Sequence, residues 1–151
     1  MTYGPVFLDE NAAMGMLLAS GEGEPSKAAR ALRVLVVDDD RDTVLSLMML
    51  LREEGHEVHS VYSGRHVMGA IIDFDPDVVV LDINLPEQSG WEVAKTIRDR
   101  RGRRRPKIIG ISGEYRQGAD KILAEIIGFD EYFLKPYAPA ELLQAVQSAK
   151  E

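Results

Sequence analysis

Charged and hydroxyl side chains follow the short apolar runs of this 151-residue chain at four places. They are Asp38 with Asp39, Asp82, Ser112 and Lys135. Short runs of this kind predict strands of a parallel sheet that is buried on both faces. Because open α/β sheets hold their chemistry at the carboxyl edge of the strands, we expect these polar groups to meet at one edge.

Three carboxylates at one edge would repel one another unless a cation lay between them. The ligands on offer are oxygen atoms, which favour Mg²⁺, with Mn²⁺ as an alternative. Lys135 would add a point charge suited to a phosphoryl group, and Ser112 a hydroxyl donor. This set could support in-line phosphoryl transfer to the carboxylate of Asp82. Taken alone, Asp82 could equally be an aspartate that starts a turn.

Strand and helix patterns alternate along the chain in the way needed to bring these residues to one edge. Strands are predicted over 34–37, 57–62, 78–82, 107–111 and 132–134, with the second at the edge of the sheet. Helices are predicted over 43–54, 63–74, 90–101, 117–127 and 138–149. Gly55 is expected to end the first helix and Ser63 to cap the second. The alternation predicts an α/β fold, a doubly wound five-stranded parallel sheet flanked by five helices.

The composition suits one globular domain, with 45% hydrophobic residues in a chain of this length. The absence of cysteine excludes disulfides and thiolate chemistry and fits a reducing cytoplasm. Neither a signal peptide nor a transmembrane segment is found, so a cytoplasmic protein is expected. Residues 1–29 are interpreted as an extension and linker ahead of a domain over 30–151. A short helix at 11–19 and a mobile tail are both compatible with that extension.

The polar residues also stand in short motifs. They are Val36-Val37-Asp38-Asp39, Leu81-Asp82 with Pro86 and Gly90 downstream, Ser112-Gly113 and Lys135-Pro136. In this order and spacing they resemble the receiver domain of a two-component response regulator, in particular the single-domain receivers of the chemotaxis type. The resemblance covers residues 31–151 and implies the flavodoxin-like strand order 2-1-3-4-5.

The resemblance implies a role for each acidic residue of the set. Asp82 would be the phosphoacceptor, and Asp39, Asp82 and the backbone carbonyl of Asn84 would bind Mg²⁺. Asp38 would act mainly through a water molecule. Asn84 and Glu114 occupy the two positions that tune phosphorylation kinetics in the family. An amide and a carboxylate there favour a short-lived phosphoryl mark.

The resemblance also implies roles for the residues around the phosphoryl group. Lys135, Ser112 and Gly113 would contact it, and Gly113 stands where the family usually has alanine. Ser112 would turn inward on phosphorylation and Tyr132 would then change rotamer, so these two residues would form the switch.

The implied function is that of a single-domain response regulator, which catalyses only its own phosphotransfer and dephosphorylation. A histidine kinase or a histidine phosphotransfer protein would be the donor, and an unidentified protein the downstream partner, through protein contacts or phosphorelay. Neither a DNA-binding domain nor a membrane partner is expected. The protein would be a monomer or a phosphorylation-dependent dimer through the face of the last two predicted helices.

Three other functions stay open at this point. A haloacid-dehalogenase-like phosphatase also uses Mg²⁺ and an aspartyl nucleophile at a strand end, but it needs a second aspartate where this chain has Asn84. The chain could also be the receiver fragment of a larger hybrid kinase. A pseudo-receiver that binds partners without phosphorylation is disfavoured, because the acidic pair, Asp82 and Lys135 are all present.

Residues 98–107 carry a local net charge of +6, which leaves −13 for the rest of a chain whose total is −7. A docking surface for an acidic partner and a solvated loop are both compatible with this charge, and the lack of interleaved aromatic residues favours the loop. The three histidines are predicted at the surface, and Met48 with Met49 in the core.

Overall fold

The computed structural model describes residues 31–86, 88–100, 105–113 and 128–150. Five strands form one parallel sheet in the order β2-β1-β3-β4-β5, which confirms the predicted order with β2 at an edge. The strands are β1 (Arg33–Val37), β2 (Glu57–Val61), β3 (Val78–Asp82), β4 (Lys107–Ser112) and β5 (Glu131–Leu134). The described α-helices are α1 (Arg41–Glu53), α2 (Val67–Phe74), α3 (Gly90–Asp99) and α4 (Pro139–Gln147).

Four of the five predicted flanking helices are therefore present in the described part of the chain. The predicted helix at 117–127 lies outside the described residues, as do Glu114, the predicted helix at 11–19 and the rest of the extension 1–29. None of the described helices is long and apolar enough to cross a membrane.

The central strands β1 and β3 are buried on both faces because helices cover each side of the sheet. Every residue of β3 is buried, and so is every residue of β1 after Arg33. One apolar cluster packs α1 and α4 on the sheet, and a second packs α2 and α3 on the other face. Strands this apolar leave the carboxyl edge as the place where polar side chains can be held together.

The first helix begins at that polar edge. The carboxylate of Asp40 accepts hydrogen bonds from the N–H of Asp42 at 3.2 Å and from the hydroxyl of Thr43 at 2.9 Å. This N-cap explains why α1 starts two residues before the predicted position 43. Gly55, with φ of +93°, follows the helix end as the sequence predicts.

The start of α2 differs from the prediction at Ser63. A 3-10 turn over Gly64–His66 comes first, and α2 begins only at Val67. Ser63 makes no capping hydrogen bond with its side chain. Its hydroxyl pairs instead with Nδ1 of His66 at 2.8 Å.

Two predictions about burial are wrong. His56, predicted at the surface, is only 5% exposed, and its Nδ1 accepts the N–H of Leu32 at 3.1 Å. Met49, predicted in the core, is 62% exposed, and Leu45 on the same helix is 59% exposed. The apolar pattern of α1 is wider than the stripe that the sheet covers, and sequence periodicity alone does not show where that stripe ends.

Candidate functional site

Asp38, Asp39 and Asp82 come together at the carboxyl edge of the sheet. One carboxylate oxygen from each lies within 4.8 Å of the others. Asp38 and Asp82 are buried, whereas Asp39 is exposed. The cause is the pairing of β1 with β3, which sets Val37 opposite Leu81 and makes the residues that follow them neighbours. The clustering that the sequence predicts is therefore observed.

Local backbone hydrogen bonds orient the two buried carboxylates. Oδ1 of Asp38 accepts the N–H of Asp40 at 2.9 Å, and Oδ1 of Asp82 accepts the N–H of Asn84 at 2.9 Å. Each is an Asx turn, in which an aspartate binds the backbone two residues further on. These turns fix the direction in which each carboxylate presents its second oxygen.

Burial raises the pKa of Asp38 to about 6. The N–H of Asp40 opposes this rise, the negative charge of Asp82 adds to it, and the charge of Lys135 opposes it. Two carboxyl groups this close cannot both ionise without cost. A divalent cation would remove that cost, and an all-oxygen donor set with two buried carboxylates fits Mg²⁺.

Lys135 brings an ammonium group to the acidic cluster. Its Nζ lies 3.8 Å from Oδ2 of Asp38, and about one third of its side chain is exposed. Its backbone N–H donates to the carbonyl of Ser112 at 2.8 Å, which joins the end of β5 to the end of β4. At 3.8 Å the ion pair is longer than a good hydrogen bond, so Nζ can turn to a closer anion.

Ser112 is buried at the end of β4. Its hydroxyl donates a long hydrogen bond of 3.4 Å to Oδ1 of Asn84, which no sequence motif indicated. A methyl group on Gly113 would meet Cδ of Lys135 at 3.7 Å, an ordinary contact, so alanine would fit there.

Tyr132 is half-buried in a group of three aromatic rings. Its ring centroid lies 6.3 Å from those of Trp91 and Phe129, with interplanar angles of 28° and 64°. The sequence singles out Tyr132 but not these partners, because strand pairing and helix packing join residues far apart in the chain. A lone tryptophan beside the helix-starting Gly90 was the one available signal.

The structure thus holds two buried carboxylates, one exposed carboxylate, an ammonium group and a hydroxyl at one edge of the sheet. These groups can place and neutralise a phosphoryl group while Asp82 attacks it.

Comparisons with known proteins agree with this chemistry. The family model of the response regulator receiver domain matches residues 34–147. A chemotaxis response regulator of Vibrio cholerae is 25% identical, with a TM-score of 0.71, over 80% of this chain and 99% of that chain. A CheY-like receiver domain protein from Methanospirillum hungatei is 27% identical, with a TM-score of 0.70, over 79% and 93%. The BeF3-activated N-terminal receiver domain of RstA from Klebsiella pneumoniae is 25% identical, with a TM-score of 0.70, over 78% and 97%.

The chain belongs to the family of response regulator receiver domains. This family comprises the phosphoacceptor domains of two-component signalling.

Proposed function

We propose that this protein accepts a phosphoryl group on Asp82 from a histidine kinase or a histidine phosphotransfer protein. The observation that carries the proposal is the buried Asp82 carboxylate with Asp38 and Asp39 within 4.8 Å. Lys135 lies beside the same cluster. The protein then signals through protein contacts or by passing the group on, and it has no separate substrate to turn over.

The transfer is a direct displacement at phosphorus. A carboxylate oxygen of Asp82 attacks the phosphorus of the donor's phosphohistidine, an O–P bond forms as the N–P bond breaks, and the imidazole nitrogen keeps the electron pair. Lys135 neutralises charge on the transferred oxygens, and the hydroxyl of Ser112 donates a hydrogen bond to one of them.

Asp39, Asp82 and the backbone carbonyl of Asn84 would hold Mg²⁺, with Mn²⁺ as a substitute, and Asp38 would reach it through water. The bound ion would supply positive charge that offsets the repulsion between the carboxylates and the phosphoryl oxygens. The raised pKa of Asp38 and the exposed position of Asp39 support this arrangement.

We place the switch at Ser112 and Tyr132. Phosphorylation would draw the hydroxyl of Ser112 away from Asn84 and toward the phosphoryl group, and Tyr132 would then turn into the space released. Beryllofluoride, which mimics the phosphoryl group, should shift the spectra of both residues. The altered face is the surface offered to a downstream protein or to a second copy.

Labelling of Asp82 tests the function. Wild-type protein with a phosphorylated histidine donor and Mg²⁺ should take up label, and Asp82→Asn should take up none. Asp73→Asn, a change at an exposed aspartate of α2, should label as the wild type does. Lys135→Ala should uncouple labelling from the spectral response of Tyr132. Undiminished labelling of Asp82→Asn would overturn the proposal.

The mark should be short-lived. Asn84 is exposed beside Asp82. An amide there and a carboxylate at position 114 resemble the chemotaxis-type receivers, which leave water access to the acyl phosphate. We expect the label to decay spontaneously in Mg²⁺ buffer, as followed by filter binding after removal of the donor. A label that persists for many hours would contradict this.

The phosphatase alternative has less support. An amide at position 84 does not ionise near neutral pH and so cannot act as a general acid or base, and its Oδ1 accepts a hydrogen bond from Ser112. Repeated turnover of a small phosphomonoester would be needed to favour it. A receiver within a longer hybrid kinase would carry the same site and the same acceptor.

A further inference from the structure

We propose that Trp91 is a positioning residue that ties Tyr132 to the backbone of Asp82 through helix α3, as a second connection beside Ser112. The proposal rests on the proposed function, because it concerns how phosphorylation of Asp82 reaches Tyr132. It is carried by three contacts of the described residues.

The first contact joins α3 to the acceptor. The N–H of Gly90, the first residue of α3, donates to the carbonyl of Ile83 at 2.9 Å. A Cβ atom on Gly90 would lie 2.5 Å from Cα of Ile83 and 2.8 Å from the carbonyl oxygen of Asp82. The start of the helix therefore lies directly on the backbone of the acceptor and its neighbour. A shift of that backbone must move Gly90 with it.

The second contact joins α3 to the switch. Trp91 is the next residue of the helix, and its ring stacks on that of Tyr132 with the planes inclined at 28° and the centroids 6.3 Å apart. It also meets Phe129 edge-on, with centroids 5.5 Å apart and planes at 88°. Offset stacking and edge-to-face contacts are the favoured geometries of aromatic pairs. The orientation of Tyr132 is thus stabilised by the indole ring.

The third contact fixes the other side of the aromatic group. A Cβ atom on Gly110 would lie 2.6 Å from the ring of Phe129, so Phe129 packs directly against the backbone of β4. Gly110 is also the register partner of Tyr132 in β5. Phe129 therefore holds the aromatic group against β4, whereas Trp91 connects it through α3 to the backbone of Asp82.

Replacing Trp91 should therefore change the balance between the two orientations of Tyr132. The stacking belongs to the orientation described here, and a turn of Tyr132 toward Ser112 gives it up. Trp91→Leu should favour the turned orientation and tighten beryllofluoride binding about 2- to 10-fold, the range expected for one aromatic pair. Trp91→Phe keeps a ring and should restore affinity to within about twofold of the wild type.

The experiment is a beryllofluoride titration with Mg²⁺, followed by fluorine NMR for affinity and by the ring signals of labelled tyrosine for Tyr132. Val93→Ala, which removes buried methyl groups from the same helix but no ring, is the control for destabilisation. It should lower stability and leave both readouts unchanged. Wild-type affinity and an unshifted Tyr132 signal in Trp91→Leu, or weaker binding, would overturn the proposal.

The fluorescence of Trp91, the single tryptophan of the chain, separates the two connections. In Ser112→Ala, beryllofluoride should still change the Trp91 emission, because Gly90 and Ile83 are untouched. Loss of that change would leave Ser112 as the single route and refute the second one. Labelling of Asp82 in the same samples shows whether a failure concerns the proposed function or only this inference. If labelling and beryllofluoride binding fail in the wild type, the proposed function fails, and if both succeed without a Trp91 effect, only this inference does.

Discussion

His56 shows how one side chain can join three parts of the fold. Its Nδ1 accepts the N–H of Leu32 at the entrance to β1, which requires a ring without a proton on that nitrogen. Its Nε2 and the side-chain nitrogen of Gln147 are buried atoms without a hydrogen-bond partner among the described residues. With the amide of Gln147 turned over, its oxygen would face Nε2–H and satisfy it.

The stability of the protein should depend on pH through His56. Burial lowers its pKa, while the charge of Glu54 and the side chain of Gln147 oppose the shift. When the pKa of a histidine is lower in the folded than in the unfolded protein, its contribution to the stability of the folded state is complete above the unfolded pKa of about 6.5. This contribution is lost as the pH falls from there through the folded pKa. The free energy of unfolding, measured by urea titration between neutral and mildly acidic pH, should therefore fall with pH.

His56→Asn tests the assignment, because its side-chain oxygen can still accept the N–H of Leu32 without titrating. This variant should show a shallower fall of stability with acid than the wild type. His59→Asn changes an exposed histidine on the neighbouring strand and should keep the wild-type profile. Equal slopes in wild type and His56→Asn would refute the role of His56.

For single residues, the sequence predicted which carboxylates lie close together but not how deeply they are buried or how their pKa values shift. Asp38, Asp39 and Asp82 follow strands that pair, so their approach is a consequence of topology. The pKa of Asp38 depends on how deeply packing buries it, and a buried His56 looks in the sequence like any polar residue after a helix. Burial is a property of the assembled fold, so the sequence pattern does not determine it.

Among the elements, α3 depends on glycine at its first position. A methyl group on Gly90 would press on the backbone of Asp82 and Ile83, which cannot yield as a flexible side chain would. Gly90→Ala should lower the free energy of unfolding by about 1–3 kcal/mol, as other overpacked substitutions do. Thermal or urea unfolding measures the change.

Gly69 offers a matched control inside α2. A Cβ atom there would have no neighbour within 4 Å. Gly69→Ala should raise stability by about 0.5–1 kcal/mol, because alanine is the better helix former. Equal effects of the two substitutions would show that the close approach at Gly90 does not govern its stability.

The strands were easier to predict than the helix starts. Runs of four apolar residues, three of them valine, define β1 and β3 almost to the residue, because a short valine-rich run that ends at a polar residue is typical of a buried strand. Helix starts depend on which nearby side chain accepts the first N–H groups. Asp40 does so for α1, whereas Ser63 is already bonded to His66 and leaves α2 to begin later.

Across the whole molecule, a groove of about 600 Å³ runs between α1 and the segment after β5. Its lining includes Leu47 and Leu50 of α1 on one side and Lys135 and Tyr137 on the other. Since Lys135 lines the groove and also lies beside the acidic cluster, we expect a donor protein that reaches Asp82 to contact this apolar surface. The exposed Met49 stands on the same helix.

Ser46→Glu, a change at an exposed residue of α1 that lines the groove, should slow phosphotransfer from a histidine donor protein by about tenfold, the effect of losing one important contact of an interface. Labelling by a small donor such as acetyl phosphate should be unchanged, since it needs no protein contact. Ile72→Glu alters a side chain that is 59% exposed on α2, against the other face of the sheet, and should leave both rates alone. A donor rate that falls equally in both variants would exclude the groove as the docking surface.

The parallel, doubly wound arrangement follows from the alternation of elements. The strand order was predictable only through the resemblance to receiver domains. The apolar groove was not, because it arises from the spacing between α1 and a loop that the sequence does not fix. Side chains such as Leu45 and Met49 belong to an apolar helix pattern whether they face the sheet or a partner.

The polar edge is assembled from positions as far apart as Asp38 and Lys135. A chain that has paired β1, β3 and β4 already holds its acidic groups but still lacks the ammonium group, which arrives only when β5 joins β4. Such a chain would lack the Lys135 charge that couples labelling to the response of Tyr132, so the Tyr132 signal of a refolding sample, rather than its phosphoryl uptake, would count the finished molecules.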